Sequence, residues 1–277
     1  MNRKIWGFAA TVALAAIAAA PASAHRQWML PSSTVLSGDD VWVTVDAAVS
    51  NDLFYFEHQP MRLDALKAWA PDGSEATIEN KATGRYRSTF DVHLTQKGTW
   101  RIASVSDGVM GSYDLNGKTE RLPRGTTTAN LAERLPAGAT NVKTAESNNR
   151  NEIFVTVGEP TTTVFKPTGK GIELAPTTHP NDLIAGETAN FQFLLDGKPA
   201  AGLSVTVIPG GIRYRNDLGQ TDLKTNAEGK VDVTWAEPGM YWINVTTPQA
   251  ERAEGATGPA PLQRRASYVT TLEVLAP

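Results

Sequence analysis

The chain has 277 residues, 26 Lys and Arg against 29 Asp and Glu, a formal net charge of −3 and no cysteine. The acidic balance argues against nucleic acid as a partner, because that role demands a basic face. Disulfides, thiolate zinc sites and cysteine nucleophiles are excluded outright, so the fold must rest on its core.

The first 24 residues read as a secretory leader. Asn2, Arg3 and Lys4 form a basic start, and Trp6 to Ala20 form a short apolar stretch rich in alanine. Pro21-Ala22-Ser23-Ala24 supplies small residues at the −3 and −1 positions of a cleavage site. The apolar stretch is too short for a membrane span, and the rest of the chain contains no second one. A soluble, exported, cysteine-free chain fits a bacterial periplasm. Cleavage after Ala24 would make His25 the first residue, with its α-amine and imidazole within chelate reach of one metal ion. The alternative is that His25 is simply the residue that follows the cut.

Downstream, short alternating segments predict an all-β fold. Val41 to Asp46 places three valines on one face, and Thr89 to Leu94 turns Phe90, Val92 and Leu94 inward. Trp100 to Ala103 follows the turn at Gln96-Lys97-Gly98. The polar stretch Lys118 to Arg150 reads as an insertion or surface lid with one short helix around Thr128 to Leu135. A strand over Ile153 to Val157 ends at Gly158-Glu159-Pro160, which sets a domain boundary near 158–166. Further strands are predicted over Asn190–Leu194, Leu203–Val207, Lys230–Trp235, Met240–Val245 and Tyr268–Val274. Pro248 to Pro261 reads as a hairpin tip or loop. The expectation is two antiparallel β-sandwiches, over 25–160 (with the insertion at 118–150) and 161–277.

The second half resembles the immunoglobulin-like or transthyretin-like modules of exported bacterial proteins. Gly197-Lys198-Pro199 and Thr225 to Gly229 mark successive hairpins there. Over nearly its whole length past the leader, the chain also resembles periplasmic proteins long labelled as the NikM-type component of nickel or cobalt uptake. That resemblance is carried by His25-Arg26-Gln27-Trp28-Met29-Leu30-Pro31, by Phe56 to Asp64, by Ala70-Pro71-Asp72-Gly73, and by Gly171 to Pro176 with His179-Pro180. It implies a two-part β-sandwich and a link to transition-metal handling.

Four histidines are candidates for ligation. His58 ends the aromatic run Phe54-Tyr55-Phe56, in a strand-to-loop position where sites gather, with Glu57 and Asp52 close by in sequence. His93 shares the outward face of its strand with Thr89 and Asp91. His179, before Pro180, reads as a turn residue. His25, His58 and His93 are therefore the candidate metal ligands, a nitrogen-rich set suited to nickel, cobalt, copper or zinc. Met29 and Met61 stand near two of them as soft donors.

No G-x-S-x-G, H-E-x-x-H or P-loop is present, so the reading is not an enzyme. The expected function is binding of a transition metal or metal complex for uptake or delivery, with an outer-membrane receptor or inner-membrane transporter as partner. Two rivals stand beside it. One is a non-catalytic interaction module for an outer-membrane receptor or glycan. The other is a copper oxygenase built on an N-terminal histidine.

Overall fold

Apolar residues at every second position bury one face of a strand, and the computed structural model shows where those faces go. It describes residues 25–248 and 264–277. The leader expected over 1–24 and most of the loop expected over 248–261 lie outside the described residues.

Strands β1 (Arg26–Pro31), β2 (Val35–Leu36), β3 (Val41–Ser50), β4 (Gln59–Pro60), β5 (Leu66–Trp69) and β6 (Glu75–Ala76) come first. They are followed by β7 (Glu79–Thr83), β8 (Ser88–Leu94), β9 (Gly98–Leu115) and β10 (Lys118–Arg121). A single-turn helix, α1 (Leu131–Arg134), precedes the long β11 (Thr140–Val157). The second half holds β12 (Ile172–Pro176), β13 (Thr188–Leu195), β14 (Lys198–Pro199) and β15 (Ser204–Pro209). It ends with β16 (Thr221–Lys224), β17 (Lys230–Thr234), β18 (Gly239–Thr246) and β19 (Arg265–Val274). The fold is all-β, and almost every pairing is antiparallel.

The strands form three sheets. The first is five-stranded, in the order β1-β3-β8-β7 with β4 also on β3. The last is four-stranded, β12-β13-β14 with β17 on β13. Between them runs a ten-stranded sheet with the path β16-β15-β18-β19-β11-β9-β5-β6. This central sheet takes strands from both halves of the chain. The join is a parallel pairing, Ser147 to Glu152 of β11 against Arg265 to Thr270 of β19.

Each outer sheet covers one face of the central one. The first core gathers Val43 and Val45 of β3, Phe90 and Val92 of β8, Trp100 and Ile102 of β9, and Ile153 and Val155 of β11. The second gathers Phe191 and Phe193, Val231 and Trp235, Ile243, and Tyr268, and it takes Phe154 from β11. Odd and even residues of β11 thus serve different cores, which explains its unbroken buried run from Arg150 to Val157. Strands buried on both faces read as continuous apolar runs, and Ile153 to Val157 is the part that does.

Within the stretch 118–150, read from sequence as an insertion or surface lid, Lys118–Arg121 is β10 and 140–150 is the first part of β11. That part of β11 pairs with β9 from Thr140↔Asp114 onward as a two-stranded ribbon. Residues 140–144 of β11 are exposed on both faces, so their polarity hides the strand from a periodicity argument. The helix is shorter than expected, four residues with no side-chain N-cap hydrogen bond.

A third, small core binds β1 to the second half. Trp28, Ala48 and Leu53 pack on Ile208, Ile212 and Trp242. Trp28 Nε1 donates to Ser50 Oγ at 2.8 Å, and Trp242 Nε1 donates to the Gln27 carbonyl at 3.0 Å. Met29, the next residue, faces the first core. With both faces pinned, β1 fixes where His25 emerges.

Candidate functional site

His25 and His58 come together at one end of the five-stranded sheet. β1 pairs with one side of β3, with Gln27 opposite Val49. β4 pairs with the other side, with Gln59 opposite the same Val49. His25 lies two residues before Gln27, and His58 one before Gln59. The two outer strands are about 9 to 10 Å apart across β3, since neighbours lie about 4.8 Å apart. β3 ends at Ser50, and beyond it the two side chains close the gap. Their imidazole rings stack with centroids 3.8 Å apart and planes 9° apart. Both residues are exposed.

The loop between Ser50 and Gln59 is held by its own polar groups. Glu57 Oε1 accepts from the backbone N–H of Asn51 at 2.8 Å and of Asp52 at 2.9 Å. These bonds, that from Asp52 foremost, hold the Glu57 carboxyl below the usual range. Ser50 Oγ donates to the Asp52 carbonyl at 2.5 Å, and Arg26 Nη1 to the Asn51 carbonyl at 2.8 Å. Phe54 takes φ 66°, a left-handed conformation that is costly for a bulky side chain. The reason is its packing: its ring meets Trp28 edge-on at 5.5 Å and lies against Gly210. A Cβ on Gly210 would stand 3.0 Å from both the Phe54 ring and the Met240 carbonyl, so a side chain there would crowd the Phe54 packing.

The second half supplies a partner loop. The Arg213 guanidinium lies 4.0 Å from the Tyr55 ring centroid and 3.7 Å from the Asp52 carboxylate. Tyr214, 81% exposed, sits edge-on to Tyr55. Arg215 ties this loop together by donating to the carbonyls of Pro209, Gly210, Asp217 and Leu218. Tyr55, Arg213 and Tyr214 are absent from the sequence-derived site. Gly210-Gly211 beside two arginines and a tyrosine was the available signal, but nothing in it points to residue 55.

His93 does not join the pair. It lies opposite Trp42 near the start of β3, whereas Arg26, next to His25, lies opposite Ser50 at its end. Eight residues at about 3.3 Å each place it roughly 26 Å away along the strand. There its ring stacks on Trp42 at 4.3 Å, and its Nε2 meets Asp40 Oδ1 at 2.9 Å. Its outward orientation was readable from alternation, but its position along β3 depends on register. Met29 and Met61 are both buried in the first core. Glu57 is committed to backbone donors and Asp52 faces Arg213, so neither carboxylate is a free ligand.

His179 is more than a turn residue. Its Nε2 lies 2.9 Å from Thr99 Oγ1 of β9, and its Nδ1 accepts from the Asn181 N–H at 3.1 Å. Asn181 Nδ2 in turn donates to the Phe154 carbonyl at 3.0 Å. Burial, chiefly, lowers the His179 pKa, against the opposing pull of a hydrogen bond with Thr161 and of Asp182. It belongs to the seam between the halves.

Among the described residues, no three His, Cys, Asp or Glu side chains gather closely enough to hold one ion. The donor set offered at the stacked pair is two imidazoles.

Residues 22–249 match the family described as Domain of unknown function (DUF4198). The chain belongs to this family. No curated protein matches the sequence. Among solved structures, the D0-D1 domain of Intimin is similar at 12% identity, over 89% of this chain and 96% of that one, with a TM-score of 0.22. A DUF4785 family protein from Legionella pneumophila is similar at 8% identity, over 78% of this chain and 50% of that one, with a TM-score of 0.23. The two tandem V-type regions of VCBP3, a chitin binding protein, show 10% identity over 91% of this chain and all of theirs, with a TM-score of 0.22.

Proposed function

We propose that this protein is a periplasmic accessory protein that binds one divalent transition-metal ion, or a chelate of one, for uptake or delivery. The ligands are the His25 imidazole, the α-amine freed by cleavage after Ala24, and the His58 imidazole. The observation that carries this reading is the 3.8 Å stack of His25 on His58. The stack shows that the two rings share one space; because a nitrogen lone pair lies in its ring plane, the exposed rings must turn out of the parallel stack to bind one ion at about 2.0–2.1 Å. The terminal amine supplies the third donor that side chains alone do not provide. An all-nitrogen set suits copper, nickel and zinc, and copper leads in raw affinity. The resemblance to NikM-type proteins points instead to nickel or cobalt as cargo. Among the described residues, no helix is long and apolar enough to cross a membrane.

The test uses protein exported through its own leader, with intact mass showing a chain that starts at His25. Metal analysis and titration with copper, nickel, cobalt and zinc should give one ion per chain. The His58→Ala protein should bind more weakly by at least tenfold, the scale seen even when groups behind the ligands are removed. Correctly processed protein that binds none of the four ions would sink the proposal.

A second reading draws on Tyr55, Phe56 and Tyr214, which stand around the same loop. Phe56 is 36% and Tyr214 81% exposed, an arrangement suited to a non-catalytic module that docks a receptor or glycan through aromatic contacts. That reading gains if the processed protein is metal-free and Tyr214→Ala abolishes partner binding.

A further inference from the structure

A cavity lined by three arginines lies away from the histidine pair. The segment after β10 folds back over β9: Leu122 N–H donates to the Gly111 carbonyl at 2.9 Å, and Val109 N–H to the Thr126 carbonyl at 2.7 Å. Thr126 is buried, and its hydroxyl donates to the Pro123 carbonyl at 2.6 Å, so the segment is braced rather than draped. The space enclosed is about 670 Å³, within the usual range for a small-molecule site.

Three arginines line it: Arg121 from the end of β10, Arg124 from the folded-back segment and Arg265 from the start of β19. None of the three forms an ion pair within the described residues. The one acid in the lining, Asp107, is already neutralised by Lys170 at 2.6 Å and by the Asn148 amide at 2.7 Å. Val109, Met110 and Leu122 give the cavity an apolar wall. A cationic cavity on a chain of net charge −3 is a local feature, not a reflection of overall composition.

We propose that this cavity binds a small organic polycarboxylate. An arginine fork matches a carboxylate through two parallel hydrogen bonds. Arg121 and Arg124 come from one stretch of chain and Arg265 from another, with Val109, Met110 and Leu122 in the same lining. Apolar residues in the same lining suit a carbon frame that carries several anionic groups better than one compact anion. The site uses none of the residues of the histidine pair.

Calorimetric titration of metal-free protein with citrate, in chloride buffer, tests this. The expected result is saturable one-to-one binding with a dissociation constant below roughly 1 mM, worth about 4 kcal/mol. The Arg121→Ala/Arg124→Ala double variant and Arg265→Gln should each bind at least tenfold more weakly while keeping the parental melting temperature. Arg85→Ala, on the turn between β7 and β8, should bind as the parent does. His58→Ala should also bind citrate normally, so that failure here and failure of the metal reading are told apart. Inorganic phosphate should bind more weakly than citrate. The proposal is overturned by no saturable citrate binding up to about 10 mM, by full affinity in the double variant, or by phosphate binding as tightly as citrate.

Discussion

His58 and His93 show how far a residue's neighbours in sequence predict its neighbours in space. Both were legible as outward or loop-end imidazoles, and His25 stood out because of the Ala-x-Ala motif before it. What separates them is position along β3. The register Trp42↔His93 holds one at the start of that strand, and the stack on His25 holds the other at its end. Register is set by pairing partners that no local pattern reveals. His93→Ala should therefore leave metal affinity unchanged, in contrast to the loss expected for His58→Ala. It should expose the Trp42 face, which fluorescence quenching by a neutral quencher would detect. Affinity at the pair should fall on acidification, because ligation needs neutral imidazole and amine. His179 makes a separate pH prediction. Burial lowers its pKa in the folded protein, so the unfolded chain binds the proton more readily. The stability it contributes is complete above the unfolded value of about 6.5 and is lost as pH falls through the folded one. Thermal melting should show this loss below neutral pH, and His179→Gln should flatten the profile.

Among the elements, the strands that bury one face were the readable ones. β3 and β8 alternate cleanly, and their apolar residues meet in the first core. β11 was half readable, because only its last eight residues are buried throughout. Arg150 and Glu152 lie within that buried run and look, in sequence, like the end of a polar loop. The structure shows why they are tolerated. Arg150 donates to Glu173 at 3.2 Å, and Glu173 also accepts from the backbone N–H groups of Thr168 and Gly169 and from the Thr168 hydroxyl. This network fastens β11 to β12. Glu173→Ala leaves a buried guanidinium short of a partner and should cost about 3 to 5 kcal/mol, measured by denaturant unfolding. A backbone test lies at the turn before β17. Gly229 has φ +71°, and a Cβ there would stand 2.5 Å from the Phe193 carbonyl and 2.7 Å from the Ala200 nitrogen. Gly229→Ala should destabilise by at least about 1 to 3 kcal/mol, with no effect on either ligand.

At the scale of the whole molecule, the all-β class followed from short alternating segments and Gly/Pro turns. The continuity of the central sheet was not legible. Nothing in the sequence joins 147–152 to 265–270, because a parallel pairing more than a hundred residues apart leaves no local signature. Three cores meet around this sheet, and β1 touches two of them. Trp28→Ala should therefore cost about 3 to 5 kcal/mol and also loosen the end of β1 that carries His25. Unfolding and metal titration of the same variant would then both shift, whereas Glu173→Ala should shift unfolding alone.

The parallel join between β11 and β19 also bears on synthesis. β19 lies between β18 and β11 in the central sheet and follows both of them in the chain. Until β19 has emerged, the nascent chain has β9 and β11 but not the strand that links them to β18. Domains commonly fold as they emerge, amino-terminal part first. Here the seam stays open until β19 has been made, and closing it brings together residues far apart in the chain, which is slow.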